Sequence, residues 1–159
     1  MNFDNCSLQP MTEESVAEIC QWEYEKPYDV YSFKGRPNGY LLDKRTWGVE
    51  QFVLCCDARL VGQVSCQFDN HKLWVGWSLS PALCGKSNGH LFVQKCVKEI
   101  RKIKDYKGNL FLRVAAFNER AIKAYQKAGF IYIKTIKDEI PYSNNMEDFW
   151  IMVERISNC

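Results

Sequence analysis

Three stretches of the chain hold residues whose types and spacing could do chemistry. The first is Cys84-Gly85-Lys86-Ser87-Asn88-Gly89, followed by His90. It joins a strand-like run at 73–79 to a helical pattern in which Phe92, Val93, Cys96, Val97, Ile100 and Ile103 recur on one face. A strand that feeds a glycine loop onto a helix gathers unpaired backbone N–H groups at the positive end of the helix dipole. Such a loop suits a diphosphate, and its glycines let the ligand approach the backbone. The N–H groups of Gly85, Lys86, Ser87, Asn88, Gly89 and His90 are the expected cradle. A P-loop is not completed, because its first glycine would fall on Ser80, with Pro81 next; the G-x-G-x-x-G dinucleotide pattern is absent too.

The second stretch runs from Asn118 to Phe130. Asn118 is a good N-cap, and Glu119 suits the positive first turn. Ala121, Ile122, Ala124, Tyr125 and Ala128 follow at helical spacing, and Gly129 can take the left-handed conformation that ends a helix. The third stretch, residues 22–31, holds Trp22, Tyr24, Tyr28 and Tyr31 among Glu23, Glu25 and Asp29, with Lys26 as its one cation. It reads either as a helix-turn-helix with its charges in water or as a wall of carboxylates and aromatic faces that attracts a protonated amine.

Together the first two stretches resemble the GNAT family of N-acetyltransferases. The first is similar to the family's acyl-CoA loop, Arg/Gln-Gly-x-Gly-x-Gly/Ala. It keeps Gly85 and Gly89 but has Cys84 for Arg or Gln and Ser87 for Gly. The second is similar to the later motif N-x-x-A-x-x-x-Y-x-K-x-G-F at nearly every defining place. Leu79-Ser80-Pro81 resembles the end of the fourth strand in the branch that acetylates ribosomal-protein alanine. The resemblance implies a mixed α/β fold, with an antiparallel meander, a central βαβ unit and two splayed parallel strands. It implies acetyl-CoA as the acyl donor, with backbone groups of Ser78, Leu79 and Ser80 binding the pantetheine arm. Ser87 fits the loop if its φ is negative.

The implied reaction is acetyl transfer to a primary amine, on a small molecule or a peptide N-terminus. Tyr125 matches the family's general acid, and Asn118 would also touch CoA. Trp22, Glu23, Tyr24, Tyr28, Tyr31 and Trp77 are the expected acceptor contacts. Residues 114–117, where some relatives carry a base, hold no titratable side chain. Glu23 or Glu25 is the candidate base, directly or through water; an acceptor of low pKa needs none and loses its proton to solvent. The alternative from another class is a CoA-binding module without turnover.

The elements that must position these residues read as follows. Strands are expected at 6–10, 51–56, 60–68, 73–79, 110–115 and 146–155, with another opening at Phe130. Helices are expected from Thr12 to about Trp22, through 92–103, and from Asn118 onward. Gly35, Pro37, Asn38 and Gly39 mark a loop. A chain of 159 residues fits one domain, 1–159. A net charge of +2 argues against nucleic acid, and no apolar run reaches membrane-spanning length. Met1-Asn2-Phe3-Asp4-Asn5 lacks a leader's basic and apolar regions, so a cytoplasmic monomer or homodimer is expected. The eight cysteines have no C-x-x-C spacing and read as reduced, mostly buried side chains, Cys84 excepted. Two histidines suggest no metal site. Lys95, Lys98, Arg101, Lys102 and Lys104 read as a solvated helix face.

Overall fold

The structure, a computed structural model, describes residues 1–35, 39–140 and 145–155. Pro37 and Asn38 of the expected loop lie outside them. The described residues form seven strands: β1 (Cys6–Pro10), β2 (Gln51–Cys56), β3 (Arg59–Asp69), β4 (Lys72–Leu79), β5 (Leu110–Ala115), β6 (Ile131–Glu139) and β7 (Met146–Glu154). They form one sheet in the order β1-β2-β3-β4-β5-β7-β6. The helices are α1 (Glu13–Ile19), α2 (Gly39–Leu42), α3 (Gly89–Lys104) and α4 (Glu119–Lys127). The expected mixed α/β class, with its meander and its βαβ unit, is the architecture found.

Local chemistry explains the meander. Asp57 and Ala58 turn β2 into β3 with φ of 50° and 65°, and Asn70 and His71 turn β3 into β4 with φ of 50° and 66°. Two consecutive left-handed residues give the turn whose twist matches an antiparallel hairpin. All strand pairs are antiparallel except β4 with β5, which α3 connects as a crossover. Side chains alternate across the sheet. Val64, Cys66, Leu73, Val75, Leu112 and Val114 join Phe92, Val93, Cys96 and Ile100 of α3 in the main core. A second cluster, with Val16, Ile19, Trp22 and Val53, packs α1 on the opposite face.

Several expectations are corrected. Helix α1 stops at Ile19 instead of reaching Trp22, and residues 22–31 contain only one tight turn, Tyr28–Tyr31. Cys6 and Cys56 face each other in the β1–β2 register and form a disulfide, so these two are not thiols. Sheet register brings them together without any spacing motif. Arg101 is not a solvated cation. Its guanidinium donates to Glu154 at 2.6 Å and to the Gly108 carbonyl at 2.6 Å, which pins the end of α3 to β7. Trp74 and Trp77 lie on opposite faces, as an uninterrupted strand requires: Trp74 beside Phe111 and Trp77 in the main core. Among the described residues no helix is long and apolar enough to cross a membrane.

Candidate active site

Strand β4 pairs with β3 along its whole length, but with β5 only at Leu73–Leu110 and Trp74–Phe111. Beyond Trp74 the two parallel strands separate. The β5-facing backbone of β4 from Val75 on therefore has no strand partner, and buried N–H and C=O groups in that state need a ligand or water. The gap opens into a cleft of about 540 Å³. One wall is β4, from Val75 to Leu79, and another is Leu112, Val114 and Ala115 of β5.

The loop between β4 and α3 closes one end. Gly85 and Ser87 have φ of 71° and 58°, and Asn88 follows in the right-handed region. That left-then-right alternation points successive N–H groups into one concavity. The expected negative φ at Ser87 is thus corrected: the loop takes a left-handed turn there, at a residue that carries a Cβ. Asn88 does not cap α3. Its side chain is buried, donates to the Leu83 carbonyl at 3.2 Å and accepts from the Met1 amine at 3.3 Å. The first turn of α3 contains no acidic residue, so its dipole end is bare. A Cβ on Gly89 would lie 3.3 Å from the Ala124 methyl, which is how closely α3 and α4 approach there.

Helix α4 supplies Tyr125, the side chain expected from the sequence to act as the acid. Asn118 accepts from the Ala121 N–H at 3.2 Å and fixes the start of the helix. Gly129, at φ 105°, releases the chain into β6. Between them Tyr125 lies against Trp77 (ring centroids 5.9 Å) and Phe130 (6.1 Å). Burial pushes its phenol up to about 12, and the nearby Trp77 indole offsets part of that rise. No well-formed hydrogen bond joins the two, and the buried Trp77 N–H has no partner among the described residues. Tyr125 therefore holds its proton at neutral pH.

The third wall comes from residues 22–31. The Tyr24 hydroxyl donates to the Leu79 carbonyl at 2.7 Å, and burial raises its phenol well above the usual range. Tyr28 lies 4.1 Å beneath the Arg120 guanidinium. Tyr31 stacks on Phe117 at 6.2 Å.

The structure brings together Ser78, Leu79, Cys84, Gly85, Ser87, Gly89, His90, Asn118, Tyr125, Tyr24, Tyr28, Tyr31 and Trp77 around this cleft. Other sequence candidates lie elsewhere. Glu23 is exposed and ion-paired with Lys34 at 3.1 Å; Glu25 is exposed, and neither lines the cleft. Trp22 packs against Phe33 in the second core cluster. The Ser80 N–H is taken by the Val61 carbonyl at 2.9 Å. Lys86 is exposed and Asn88 turns inward, and neither side chain lines the cleft. Cys84 lies between the Leu79 and Ser80 carbonyls, and burial raises its thiol, so it is no activated thiolate. Sequence reasoning missed Arg120, Lys123 and Lys127, which line the cleft from α4. Their i, i+3, i+7 spacing was the available signal, since it puts all three on one helix face.

Comparison with known proteins agrees with this geometry. The acetyltransferase (GNAT) family profile matches residues 14–130. No curated protein sequence matches significantly. Among solved structures, a spermidine N-acetyltransferase from Vibrio cholerae, in complex with CoA and spermine, is 15% identical with a TM-score of 0.71, covering 94% of each chain. AAC(6')-Ib in complex with ribostamycin and coenzyme A is 18% identical with a TM-score of 0.69, covering 96% of this chain and 94% of that one. A GNAT-family acetyltransferase from Bacillus anthracis is 14% identical with a TM-score of 0.72, covering 94% of each chain. At such identities the likeness is one of fold, and the family profile carries the assignment: the chain belongs to the acetyltransferase (GNAT) family.

Proposed function

We propose that this chain, as a single domain, transfers the acetyl group of acetyl-CoA to a primary amine. The observation that carries this is the seam between β4 and β5, which opens after its second residue pair, where the anion loop and a protonated Tyr125 converge. The residues fit the donor. Unpaired backbone of Val75 to Ser78 suits the pantetheine amides as an added strand would. The bare start of α3 suits the diphosphate. Leu79 is less available than the sequence implied, because its carbonyl already accepts from Tyr24.

When bound, acetyl-CoA supplies an activated thioester. The side chains do the rest. The tyrosine wall and β4 exclude water around the attacking amine. Tyr125 holds a proton at its hydroxyl for the departing sulfur and regains one from solvent. The amine gives its own proton to water, so the balance is amine plus thioester to amide plus thiol. Resemblance to the branch acting on protein N-termini, and a cytoplasmic setting, belong to the same proposal.

A thermal melt with acetyl-CoA, CoA and ATP tests it. At a ligand concentration 100 times Kd the gain is about 2.7 kcal/mol, a rise of roughly 5–10 °C for a domain of this size. A rise with both CoA species and none with ATP is expected. No rise with any CoA species sinks the reading.

A further inference from the structure

Resting on that acetyltransferase reading, we infer that Arg120 closes on the donor's diphosphate from α4, facing the anion loop, and that Tyr28 is the residue that positions it. The tyrosine wall beside the acceptor then carries part of the donor's affinity.

The placement of the charge is the first sign. Arg120 lies two residues beyond its cap, Asn118, in the first turn of α4. That is the positive end of a helix dipole, where a cation costs stability unless something negative meets it. No ion pair among the described residues includes Arg120. Glu119 is exposed and does not line the cleft, and no other carboxylate among the described residues lines it.

The side chain reaches across to the loop between β4 and α3. A Cβ on Gly85 would lie 3.9 Å from the Arg120 Nη1. Burial raises the Cys84 thiol and the Tyr24 phenol, and the Arg120 charge pulls both back, as a guanidinium close to them must. The loop lacks a cation of its own in the cleft: Cys84 is uncharged, and Lys86 is exposed and does not line it. The guanidinium and the bare start of α3 thus act on one concavity. Backbone N–H groups meet an anion there from the loop side, and a charged fork meets it from α4.

Tyr28 sets the direction of that fork. The guanidinium covers its ring at 4.1 Å. An arginine on an aromatic face keeps the edge of its guanidinium free for an anion. Two other tyrosines of the same wall are attached differently. Tyr24 donates to the Leu79 carbonyl, and Tyr31 stacks on Phe117. Neither ends on a charge, so of these three attachments only Tyr28 meets a group that the donor would touch.

Calorimetry with CoA and dephospho-CoA, and kinetics with S-acetylpantetheine, which has no phosphate, test this. Arg120→Gln should weaken CoA and dephospho-CoA alike, about tenfold each, and make CoA affinity less sensitive to salt. Its kcat/KM on S-acetylpantetheine should stay within about twofold. Tyr28→Ala should weaken CoA roughly two- to fivefold, and add nothing in the Arg120→Gln background. Tyr28→Phe, which keeps the ring face, should retain the affinity. A loss with CoA but not with dephospho-CoA would move Arg120 to the 3′-phosphate and overturns the inference. So does an equal loss on S-acetylpantetheine, a Tyr28→Phe effect as large as that of Tyr28→Ala, or full additivity of Tyr28→Ala with Arg120→Gln. Each of these leaves acetyl transfer standing, whereas absence of CoA binding to the unaltered chain overturns the proposed function and this inference together.

Discussion

Helices α3 and α4 both begin after an asparagine, yet the two asparagines behave in opposite ways. Asn118 turns its side chain back to the Ala121 N–H, and Glu119 adds a negative charge to the first turn of α4. Asn88 turns inward to Leu83 and Met1, and the first turn of α3 holds neither a side-chain cap nor an acid. One helix start is completed by the protein; the other keeps its N–H groups and dipole exposed to the cleft. The contrast fits the two roles in the proposed function: the fixed start of α4 places Tyr125, and the open start of α3 would let an anion complete it.

The largest expected effect breaks the first half of that contrast. Tyr125→Phe should lower kcat by about 10²–10⁴, the range for a lost general acid, while the thermal shift given by CoA stays the same. A variant that loses CoA binding as well would show that α4 also carries the donor. Alkaline pH probes the same side chain. A phenol near 12 in the folded chain and about 10 unfolded means that the folded state retains the proton longer. Its stabilisation is complete below pH 10 and disappears as pH climbs towards 12, a loss of about 2–3 kcal/mol at 1.36 per unit. Chemical denaturation across pH 9–12 reads this directly. Tyr125→Phe should flatten part of the fall, and Tyr24, half-buried and also raised, should account for more.

The second half is tested by making α3 resemble α4, and then the reverse. His90→Glu gives α3 the first-turn acid that α4 has. It should stabilise the unliganded protein by about 0.3–1 kcal/mol and weaken CoA about tenfold, measured by calorimetry. Unchanged affinity would mean that the diphosphate is held elsewhere. Asn118→Ala removes the cap that α3 lacks and should cost about 1 kcal/mol, or roughly 2–4 °C in Tm.

The legible parts of this molecule were those with local causes. The N-cap at Asn118, the left-handed stop at Gly129 and the apolar stripe carrying Tyr125 each follow from neighbours within one or two turns. The tight turns of the β2–β3–β4 meander are local as well. Residues 22–31 were legible only in part: Tyr24, Tyr28 and Tyr31 were expected at the site and line the cleft, but Trp22, Glu23 and Glu25 do not, because the stretch has no periodicity and its side-chain directions are set across the fold. Tyr24 is turned by a carbonyl 55 residues away, and Tyr28 is covered by Arg120 of a distant helix. Only that packing shows that the tyrosines face the cleft and the glutamates do not. The Cys6–Cys56 pair was hidden for a similar reason, since register, not spacing, brings the two together.

Ser87 falls between these cases: its loop was recognisable but the sign of its φ was not. At +58° it carries a Cβ where the chain geometry favours glycine. The left-handed region costs an ordinary residue about 1–2 kcal/mol, whereas glycine there loses an extra 0.5–1 kcal/mol or so of chain entropy on folding. Ser87→Gly should therefore stabilise by about 0.5 kcal/mol, a rise of roughly 1–2 °C, with CoA affinity preserved because the N–H directions do not change. A fall in Tm would show that the serine hydroxyl contributes more than its backbone strain costs. In that event the loop is held open by a side chain, and the bareness of α3 is maintained by more than the missing cap.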